Sequence, residues 1–337
     1  MAQARVRPIS KEGRTSVSHD PYRSSRTAII AGSASRELAS SVASGLGLEL
    51  SDTRTDTFPD GEIDVGVDPR VRNADVYVVA SLAPPVNDRL VELLLLLDAC
   101  RRAGAARCTA VIPYLGYARK DRRTLPGEAV SLRVVADAIA SAGADRAVLV
   151  DPHVPSVDSV FSVPLEVVSA VPLLAAAIAP AVPGDAIVVA PDLGAVHLAE
   201  RYAGELGLGA VAVVRKTRRS GSEVEASGLV GPAHDRPVLL IDDIISTGAT
   251  IEAATRLLVR EWSPPSLTVA ATHALLVGEA VSRLERLPLD AMVVSDSVVP
   301  PGRPLACSVA SVSEALVAAI ERLHEPETSG RRHGPDA

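Results

Sequence analysis

Short β-branched apolar runs alternate with helical patterns along most of the chain. The runs are TAII, DVYVVAS, CTAVIPY and RAVLVD in the first half, and AIVVAPD, AVAVVRK, PVLLIDD, LTVAATHA and AMVVSD in the second. Continuous apolar strands separated by helices are typical of parallel sheets that are covered on both faces. The pattern therefore predicts an α/β fold with two similar, doubly wound parallel-sheet domains.

Helix-boundary signals and breaker-rich ends support this division. Asn87 is a candidate N-cap and Gly104 a candidate left-handed C-cap of one long helix, while Pro264 and Pro265 stop the helix that follows PVLLIDD. The polar, Arg-rich N-terminus lacks the apolar core of a secretory signal, and the C-terminus is rich in breakers. The predicted units are a flexible leader (1–25), an N-terminal domain (26–167), a C-terminal domain (168–322) and a disordered tail (323–337).

Composition narrows the class of protein. The chain has 337 residues, 47% hydrophobic and 22% charged, which is ordinary for a globular protein of about two domains. Its formal net charge of −7 argues against a general nucleic-acid-binding protein, because such proteins carry a basic surface for phosphate. Charges interrupt the apolar runs before the roughly 20 residues that a membrane span needs. We therefore expect no nucleic-acid or membrane partner, and a cytoplasmic location.

Cysteine and lysine usage gives two further indications. The cysteines Cys100, Cys108 and Cys307 are too scattered for a disulfide framework or a CxxC zinc site. Only three of the 34 cationic side chains are lysines, and two of these are Lys120 and Lys216. Because the sequence uses arginine almost everywhere else, each lysine is a candidate for a specific role.

One strand is followed by a polar segment whose residue types indicate a ligand. The stretch VLLIDDIISTGATI, residues 238–251, places two adjacent carboxylates at the end of an apolar strand, where doubly wound sheets bind their ligands. Carboxylates suit sugar hydroxyls, whereas hydroxyl side chains, glycine and the amides of a helix start suit a phosphate. The segment therefore predicts a sugar-phosphate site. Its residues are Asp242, Asp243, Ser246, Thr247, Gly248, Ala249 and Thr250.

A simpler interpretation of this segment is that Asp243 and Ser246 only cap the next helix. One such residue is enough for a cap, and this stretch combines two acids, three hydroxyls and a glycine. We therefore prefer the binding interpretation.

The same segment resembles the signature that binds phosphoribosyl pyrophosphate (PRPP) in type I phosphoribosyltransferases and in ribose-phosphate pyrophosphokinases. Further blocks resemble the second family in its order: TFPDGEIDVGV, YLGYARKDRR, VDPHVPSVDSVF, IVVAPDLGAVHLAERYA and VVRKTRRSGSEVE. The resemblance implies two domains of phosphoribosyltransferase type. It also implies transfer of the β,γ-pyrophosphoryl group of ATP to the 1-hydroxyl of ribose 5-phosphate, giving PRPP and AMP, with Mg²⁺ as cofactor.

For ATP binding, the resemblance assigns residues in two loops. Phe58, Asp60 and Glu62 of FPDGE would bind the adenine, although the same sequence is also typical of a surface turn. Arg119 of YARKDRR would contact the triphosphate, which suits a cation at a strand end, although a solvated basic loop is the alternative. Lys120 stays unassigned, because the family commonly has glutamine there.

The metal–triphosphate site is assigned to residues that follow two other strands. By the resemblance, His153 of VDPHVP contributes to ATP and metal binding, and Asp192 of VAPDLG to metal binding. Mg²⁺ prefers oxygen ligands and keeps several waters, so Asp192 suits it better than His153. Without the resemblance, a packed and hydrogen-bonded histidine is the simpler interpretation of His153.

The segment VVRKTRRSGSEVE carries the predicted catalytic residues, Lys216 and Arg218. Phosphoryl-type transfer depends on positioning and on cations that neutralise developing charge, which a mobile Lys-x-Arg loop can supply. The alternative is a solvated basic hairpin, in which lysine and arginine would be interchangeable.

Departures from the family pattern leave other functions open. Many members have Asp-Thr-Gly-Gly-Thr where this chain has Ser-Thr-Gly-Ala-Thr, and Ala249 resists backbone geometries that glycine permits. A catalytically weak or regulatory homologue is one alternative, and a PRPP-using phosphoribosyltransferase, which needs only one such domain, is another. The family also implies a homo-oligomer, in which FPDGE would serve a neighbouring subunit.

Overall fold

The structure of the protein is a computed structural model that describes residues 26–218, 224–231, 235–299 and 305–324. Within strands, the side chains of residues 216–218 and 224–227 are not described. The predicted catalytic side chains of Lys216 and Arg218 therefore lie outside the described residues, although their backbone belongs to a strand.

Strands and helices alternate along the described chain. The strands are β1 (Thr27–Ala31), β2 (Thr53–Thr57), β3 (Ile63–Val67), β4 (Asp75–Val79), β5 (Arg107–Ile112), β6 (Arg146–Val150), β7 (Leu165–Val168), β8 (Ile187–Ala190), β9 (Val211–Arg218), β10 (Val224–Val230), β11 (Val238–Ile245), β12 (Leu267–Ala274), β13 (Ala291–Ser295) and β14 (Ser308–Ala310). The helices are α1 (Arg36–Gly45), α2 (Val86–Arg102), α3 (Ser131–Ala142), α4 (Val171–Ile178), α5 (Val196–Leu206), α6 (Ala249–Trp262), α7 (Ala280–Leu284) and α8 (Ser313–His324).

The first half of the chain forms a five-stranded sheet in the order β1-β4-β5-β6-β7. All its neighbouring strands are parallel. The hairpin β2–β3 is a separate antiparallel pair that contacts α2. The four apolar runs predicted in this half are strands β1, β4, β5 and β6, so the prediction of a parallel sheet is confirmed here.

The second half forms a seven-stranded sheet in the order β10-β9-β8-β11-β12-β13-β14. Its strands are parallel except for the antiparallel pair β9–β10. The five apolar runs predicted in this half are β8, β9, β11, β12 and β13. The α/β fold with two parallel sheets is thus confirmed for the described chain.

Apolar residues on both faces of the strands account for the sheets. All eight residues of β12 are buried, and all four of β8. A strand that is buried on both faces needs helices above and below, and the right-handed crossovers of parallel strands provide them. The runs of valine, isoleucine, leucine and alanine therefore determine the position of each strand.

The two sheets share one hydrophobic core. A single cluster of buried side chains contains residues of β1, α1 and β4 from the first half, and of α4, α5, β8 and β11 from the second. Helix α8 closes this cluster with Leu316, Ala319 and Ile320, and packs against α1 of the first half. Glycine permits the close approach, because a Cβ at Gly45 would lie 2.7 Å from Val317 Cγ2 and would force one of the helices or this side chain to shift.

The predicted domain limits remain predictions, but two details bear on them. Sheet pairing of the first half extends to Val168, one residue beyond the predicted limit. Helix α8 continues to His324, two residues into the predicted tail. Its last residue is held by a 3.0 Å hydrogen bond between the His324 ring and the Tyr77 hydroxyl.

Helix caps follow the sequence only in part. Helix α2 begins at Val86 without a side-chain cap, so the prediction that Asn87 is the N-cap is wrong. The Asn87 side chain instead accepts a hydrogen bond from the Tyr117 hydroxyl. Gly104 has φ +85° just after this helix, as predicted for a left-handed C-cap. Within the described ranges, no helix is both long and apolar enough to span a membrane.

Candidate functional site

A polar cavity of about 280 Å³ lies at the carboxyl ends of strands from both sheets. Arg119 and His153 come from the loops after β5 and β6, and Asp192 from the turn after β8. The remaining lining residues belong to β11 and the start of α6. They are Asp242, Asp243, Ile244, Ile245, Ser246, Thr247, Gly248, Ala249, Thr250 and Ile251.

The two adjacent carboxylates reach the cavity because β11 is longer than its neighbour. Pairing between β11 and β8 ends at Leu240, whereas β11 continues to Ile245. On the β12 side, pairing continues to Ile245. Asp242 and Asp243 therefore lie on a stretch of β11 that pairs with β12 but not with β8. Both residues line the cavity.

The turn after β11 is built around one glycine. Gly248 has φ +74°, and helix α6 begins at Ala249 without any side-chain cap. The interpretation of Asp243 and Ser246 as helix caps is therefore wrong. Ala249 is the first residue of this helix and does not have a left-handed backbone, so the backbone here does not demand a second glycine. Only the preceding position needs a left-handed residue.

A hydrogen bond inside the cavity joins the two halves of the chain. His153 Nδ1 lies 2.5 Å from Asp243 Oδ2, and both side chains are partly exposed. The hydrogen bond to Asp243 raises the pKa of His153 above its ordinary value. Burial acts to raise the pKa of Asp243, but the hydrogen bond and charge of His153 outweigh it, so the pKa of Asp243 is lowered. The pair is therefore a charge-assisted one.

The pKa of Asp242 is shifted in the opposite direction to that of Asp243. Burial and then the charge of Asp243 raise the pKa of Asp242 well above the ordinary value. Its Oδ1 accepts a 3.0 Å hydrogen bond from the Asp243 backbone N–H. Neighbouring carboxylates whose pKa values move apart are typical of functional sites, because one stays ionised while the other holds a proton more readily.

The turn that carries His153 is fixed by Asp151, which sequence reasoning did not single out. Asp151 directly follows β6 and has φ +33°, in a region that residues other than glycine rarely adopt. Its Oδ2 accepts hydrogen bonds from the Ala170 N–H at 2.9 Å and the Thr272 hydroxyl at 3.0 Å. Its backbone carbonyl accepts one from His273 Nε2 at 3.2 Å. Two donors on β12 thus hold a turn of the first half.

The His273 ring is fully buried, and its tautomer follows from its partners. Burial lowers the pKa of His273, so the ring is neutral near pH 7. A carbonyl only accepts hydrogen bonds, so Nε2 carries the proton and donates to Asp151. Nδ1 then accepts from the Ser297 hydroxyl at 2.8 Å. The Ser297 carbonyl in turn accepts from the Ser81 hydroxyl at 2.7 Å, which is a second link between the halves.

Sequence reasoning missed these links because their residues stand inside apolar strands. His273 and Thr272 occur in LTVAATHA, which was interpreted only as a strand. A histidine in an otherwise apolar, fully buried strand was the available signal, because a buried imidazole needs hydrogen-bond partners.

Arg119 reaches the cavity from a loop that packs closely on the start of α2. A Cβ at Gly116 would lie 2.8 Å from Val86 Cγ1, and Leu82 N–H donates to the Tyr114 carbonyl at 2.9 Å. The Tyr114 ring also packs edge-on against His273, with ring centroids 5.1 Å apart. The basic side chain is therefore carried by an anchored loop.

Lys120, to which the sequence assigns no role, forms an ion pair with Glu128. Its ammonium lies 2.8 Å from Glu128 Oε2, and it is not among the described residues that line the cavity. The hydrogen bond from Lys120, followed by those from Thr124 and Leu125, lowers the pKa of Glu128 to about 2. This cluster ties the ends of residues 120–128 together.

Asp192 lines the cavity, and its Oδ1 accepts a 3.0 Å hydrogen bond from the Gly194 N–H. Its charge contributes to raising the pKa values of both His153 and Asp242. Among the residues that the structure describes, no three His, Cys, Asp or Glu side chains are grouped so as to hold a metal by themselves. Mg²⁺ commonly keeps several waters and binds phosphate oxygens beside one or two carboxylates.

The predicted adenine-binding residues lie outside this cavity. Phe58, Asp60 and Glu62 occupy the turn of the β2–β3 hairpin, where Glu62 N–H donates to Asp60 Oδ1 at 3.1 Å. The Phe58 side chain is 53% exposed. The surface turn expected from Pro59-Asp60-Gly61 is thus present, and Gly61 has φ +96°.

Known proteins match both halves of the chain. Family models match residues 27–143, as the N-terminal domain of ribose phosphate pyrophosphokinase, and residues 182–285, as a phosphoribosyl transferase domain. Ribose-phosphate pyrophosphokinase from Gloeobacter violaceus is 38% identical over 302 residues, which are 89% of this chain and 91% of that protein. The same-named protein of Aquifex aeolicus is 38% identical over 299 residues, 88% of this chain and 96% of its own.

A solved structure also covers both halves. The crystal structure of phosphoribosylpyrophosphate synthetase from Mycobacterium smegmatis superposes with a TM-score of 0.80 and 34% sequence identity. The match covers 88% of this chain and 98% of that one. The arrangement of the two sheets is therefore similar in the two proteins.

The His153–Asp243 pair leads to a prediction about pH. The raised pKa of His153 adds stability below its unfolded value of about 6.5, which is lost as pH rises through the folded pKa. The lowered pKa of Asp243 adds stability above about 3.8, which is lost as pH falls through its folded pKa. Asp243→Asn should therefore lower the pKa of His153, measured by NMR titration of the imidazole resonances.

Asp192→Asn is the matched control, because the charge of Asp192 raises the pKa of His153 less than the hydrogen bond to Asp243 does. It should lower the pKa of His153 less than Asp243→Asn does. An unchanged His153 titration in Asp243→Asn would contradict the pairing.

Proposed function

The chain belongs to the ribose-phosphate pyrophosphokinase family, and we propose that it transfers the β,γ-pyrophosphoryl group of ATP to the 1-hydroxyl of ribose 5-phosphate. The products are PRPP and AMP. The observation that carries the proposal is one cavity that combines paired carboxylates, an uncapped helix start and basic groups from the other half. The family relationship inferred from the motifs is confirmed.

The sugar phosphate fits the β11–α6 side of the cavity. The uncapped start of α6 and the preceding turn offer backbone N–H groups to a phosphate monoester, and Ser246, Thr247 and Thr250 offer hydroxyls. Asp243, with its lowered pKa, stays ionised and accepts hydrogen bonds from ring hydroxyls. The 1-hydroxyl of the pentose would then face the side of Arg119 and His153.

Charge explains why ATP binding needs further cations. The described lining has the carboxylates of Asp192, Asp242 and Asp243 against Arg119 and a His153 that already pairs with Asp243. A triphosphate adds negative charge to a lining that is not cationic overall. Mg²⁺ and the side chains of Lys216 and Arg218 are the compensating charges that we propose.

The donor set of the cavity fits Mg²⁺ bound with few protein ligands. Asp192 would hold it through a carboxylate oxygen or a water, together with phosphate oxygens, as this ion commonly binds in nucleotide sites. His153 has its Nδ1 occupied by Asp243, and in the charge-assisted pair its Nε2 carries a proton that can be donated to a phosphate oxygen of the metal–triphosphate group. When bound, Mg²⁺ would neutralise charge on the transferred phosphates.

The reaction balances without a covalent enzyme intermediate. The pentose O1 attacks the β-phosphorus of ATP, the bond from that phosphorus to the α,β-bridging oxygen breaks, and AMP leaves with that oxygen. The O1 proton is released. Lys216 and Arg218, on the strand next to β8, would neutralise charge between attacking and leaving oxygens.

The exposed hairpin turn fits a role in a neighbouring subunit. Phe58 is an exposed aromatic residue on a turn outside the cavity, and Asp60 and Glu62 flank it. We propose that this turn binds the adenine of ATP held in the cavity of another copy of the chain, within a homo-oligomer. We also propose that the protein acts in the cytoplasm, without nucleic-acid or membrane partners.

Product analysis tests the proposed reaction. Purified protein with ATP, ribose 5-phosphate and Mg²⁺ should form AMP and PRPP in equal amounts, measured by anion-exchange chromatography with ³¹P NMR. Omission of ribose 5-phosphate should abolish AMP formation. Formation of ADP with a phosphorylated sugar would contradict pyrophosphoryl transfer, because it requires attack at the γ-phosphorus.

Lys216→Ala tests the catalytic assignment. Lys120→Ala is the control, because it also removes a lysine, but one that is not among the described residues lining the cavity. Lys216→Ala should lower kcat about 100-fold or more while the melting temperature is retained, because a cation at the developing charge is lost. Lys120→Ala removes a partly exposed ion pair and should change kcat less than about threefold. Equal kcat values for the two variants would contradict the role of Lys216.

A further inference from the structure

Three successive carbonyl groups of the cavity turn are bound from the same side. The Ile245 carbonyl accepts from Leu275 N–H at 2.9 Å and from Leu276 N–H at 3.2 Å, and the Ser246 carbonyl accepts from Val277 N–H at 3.0 Å. The Thr247 carbonyl accepts from Arg283 Nη1 at 2.7 Å. All these donors belong to the segment 275–283, which follows β12 and includes part of α7.

The direction of these carbonyls sets the direction of the amides. In a trans peptide group the C=O and the N–H point in opposite directions. The N–H groups of Ser246, Thr247 and Gly248 therefore point away from the segment 275–283. These three residues line the cavity, whereas Arg283 is not among its described lining residues. Successive N–H groups turned to one side form an anion-binding concavity.

Two of these peptide groups are held by backbone donors and the third by a side chain. The nitrogen of the Thr247–Gly248 peptide belongs to a glycine, which has φ +74°. Because glycine has no Cβ, little in the local chain restricts rotation of this peptide group. Arg283 restrains this peptide group by binding two partners with one guanidinium. Its Nη1 donates to the Thr247 carbonyl, and its Nε lies 2.9 Å from Glu252 Oε2 on α6. Its side chain is only 25% exposed. The guanidinium thus fixes the turn relative to the helix that follows it.

We propose that Arg283 is a positioning residue for the phosphate site, holding the Thr247–Gly248 peptide so that the Gly248 N–H faces a phosphate monoester. This inference rests on the proposed function, in which the monoester is the 5-phosphate of the pentose. Without Arg283 the peptide can rotate and present a carbonyl oxygen to the anion. The exchange of a donor for an acceptor weakens binding of the phosphate.

The effect falls on binding rather than on bond formation. The 5-phosphate and the reacting 1-hydroxyl stand at opposite ends of the pentose, and Arg283 contacts neither the cavity nor the catalytic strand β9 among the described contacts. Loss of Arg283 should raise the Kd and KM for the sugar phosphate and leave kcat at saturation nearly unchanged.

Arg256 provides a matched control. Its Nη2 lies 2.7 Å from Glu252 Oε1, so it binds the same carboxylate as Arg283, but it is 73% exposed and its described hydrogen bonds do not include the turn. Arg283→Met and Arg256→Met therefore remove equal charge next to Glu252. Arg283→Lys keeps the charge but has no fork, so it can hold the carboxylate or the carbonyl but not both in the same geometry.

The experiment is calorimetric titration of the four proteins with ribose 5-phosphate, inorganic phosphate and ribose, followed by steady-state kinetics. Arg283→Met should raise the Kd of both phosphate-containing probes about tenfold, as expected for loss of one hydrogen bond to a charged group. Arg283→Lys should give an intermediate Kd. Arg256→Met should match the unaltered protein, and binding of ribose should not distinguish the two Met variants.

Each contrary outcome has a separate meaning. If the unaltered protein converts ribose 5-phosphate to PRPP but both Met variants bind phosphate equally, the inference is overturned and the proposed function stands. A loss confined to kcat, or an equal loss for ribose, also overturns the inference. If the unaltered protein binds inorganic phosphate but not ribose 5-phosphate, and Arg283→Met alone weakens that binding, the proposed function fails and the inference stands. If the unaltered protein binds neither inorganic phosphate nor ribose 5-phosphate, both the proposed function and the inference are overturned.

Discussion

The hydrogen bond between His153 and Asp243 joins the two halves of the molecule inside the cavity, so its geometry requires the two sheets to keep a fixed relative position. His153 is carried by the sheet of the first half and Asp243 by the central part of the second sheet. A contact of 2.5 Å tolerates little relative movement of the halves. The shared core and the bonds from Thr272 and His273 to Asp151 supply that rigidity. Two parallel sheets thereby present one site.

The cavity divides its chemistry between side chains and backbone. Carboxylates on an extended part of β11 suit hydroxyl groups, whereas the turn beyond them has its carbonyls bound from behind and its amides directed the other way. A neutral backbone can stabilise an anion close to acidic side chains, because the N–H dipoles are fixed in direction. This explains how carboxylates and a phosphate can be bound a few residues apart on one segment.

The sequence predicted the parts that follow from local pattern. Apolar runs placed β8, β11 and β12, and the acids and hydroxyls after β11 identified the cavity segment. Polar or very short strands such as β2 and β14 have no such pattern and were missed. Asp151, His273 and Arg283 were also missed, because their roles arise from contacts across more than 30 residues of chain or between halves. The local pattern can also mislead. Asn87 is a residue type that often caps helices, but its side chain instead accepts a hydrogen bond from the Tyr117 hydroxyl, 30 residues along the chain.

The effect of Ala249, where many family members have glycine, can be judged only from the local backbone conformation. Alanine in place of glycine is strained where the backbone is left-handed, and within the turn from Ser246 to Thr250 that condition applies to Gly248 and not to Ala249. The departure from the family pattern is therefore compatible with the left-handed turn that precedes α6.

A crystal structure with ribose 5-phosphate and a non-hydrolysable ATP analogue would show how the pentose is held. The 5-phosphate should lie on the amides of residues 246–250, the ring hydroxyls within hydrogen-bond distance of Asp242 and Asp243, and the 1-hydroxyl should face the β-phosphorus. A pentose bound elsewhere, or bound in this cavity with its phosphate away from the turn, would contradict this arrangement.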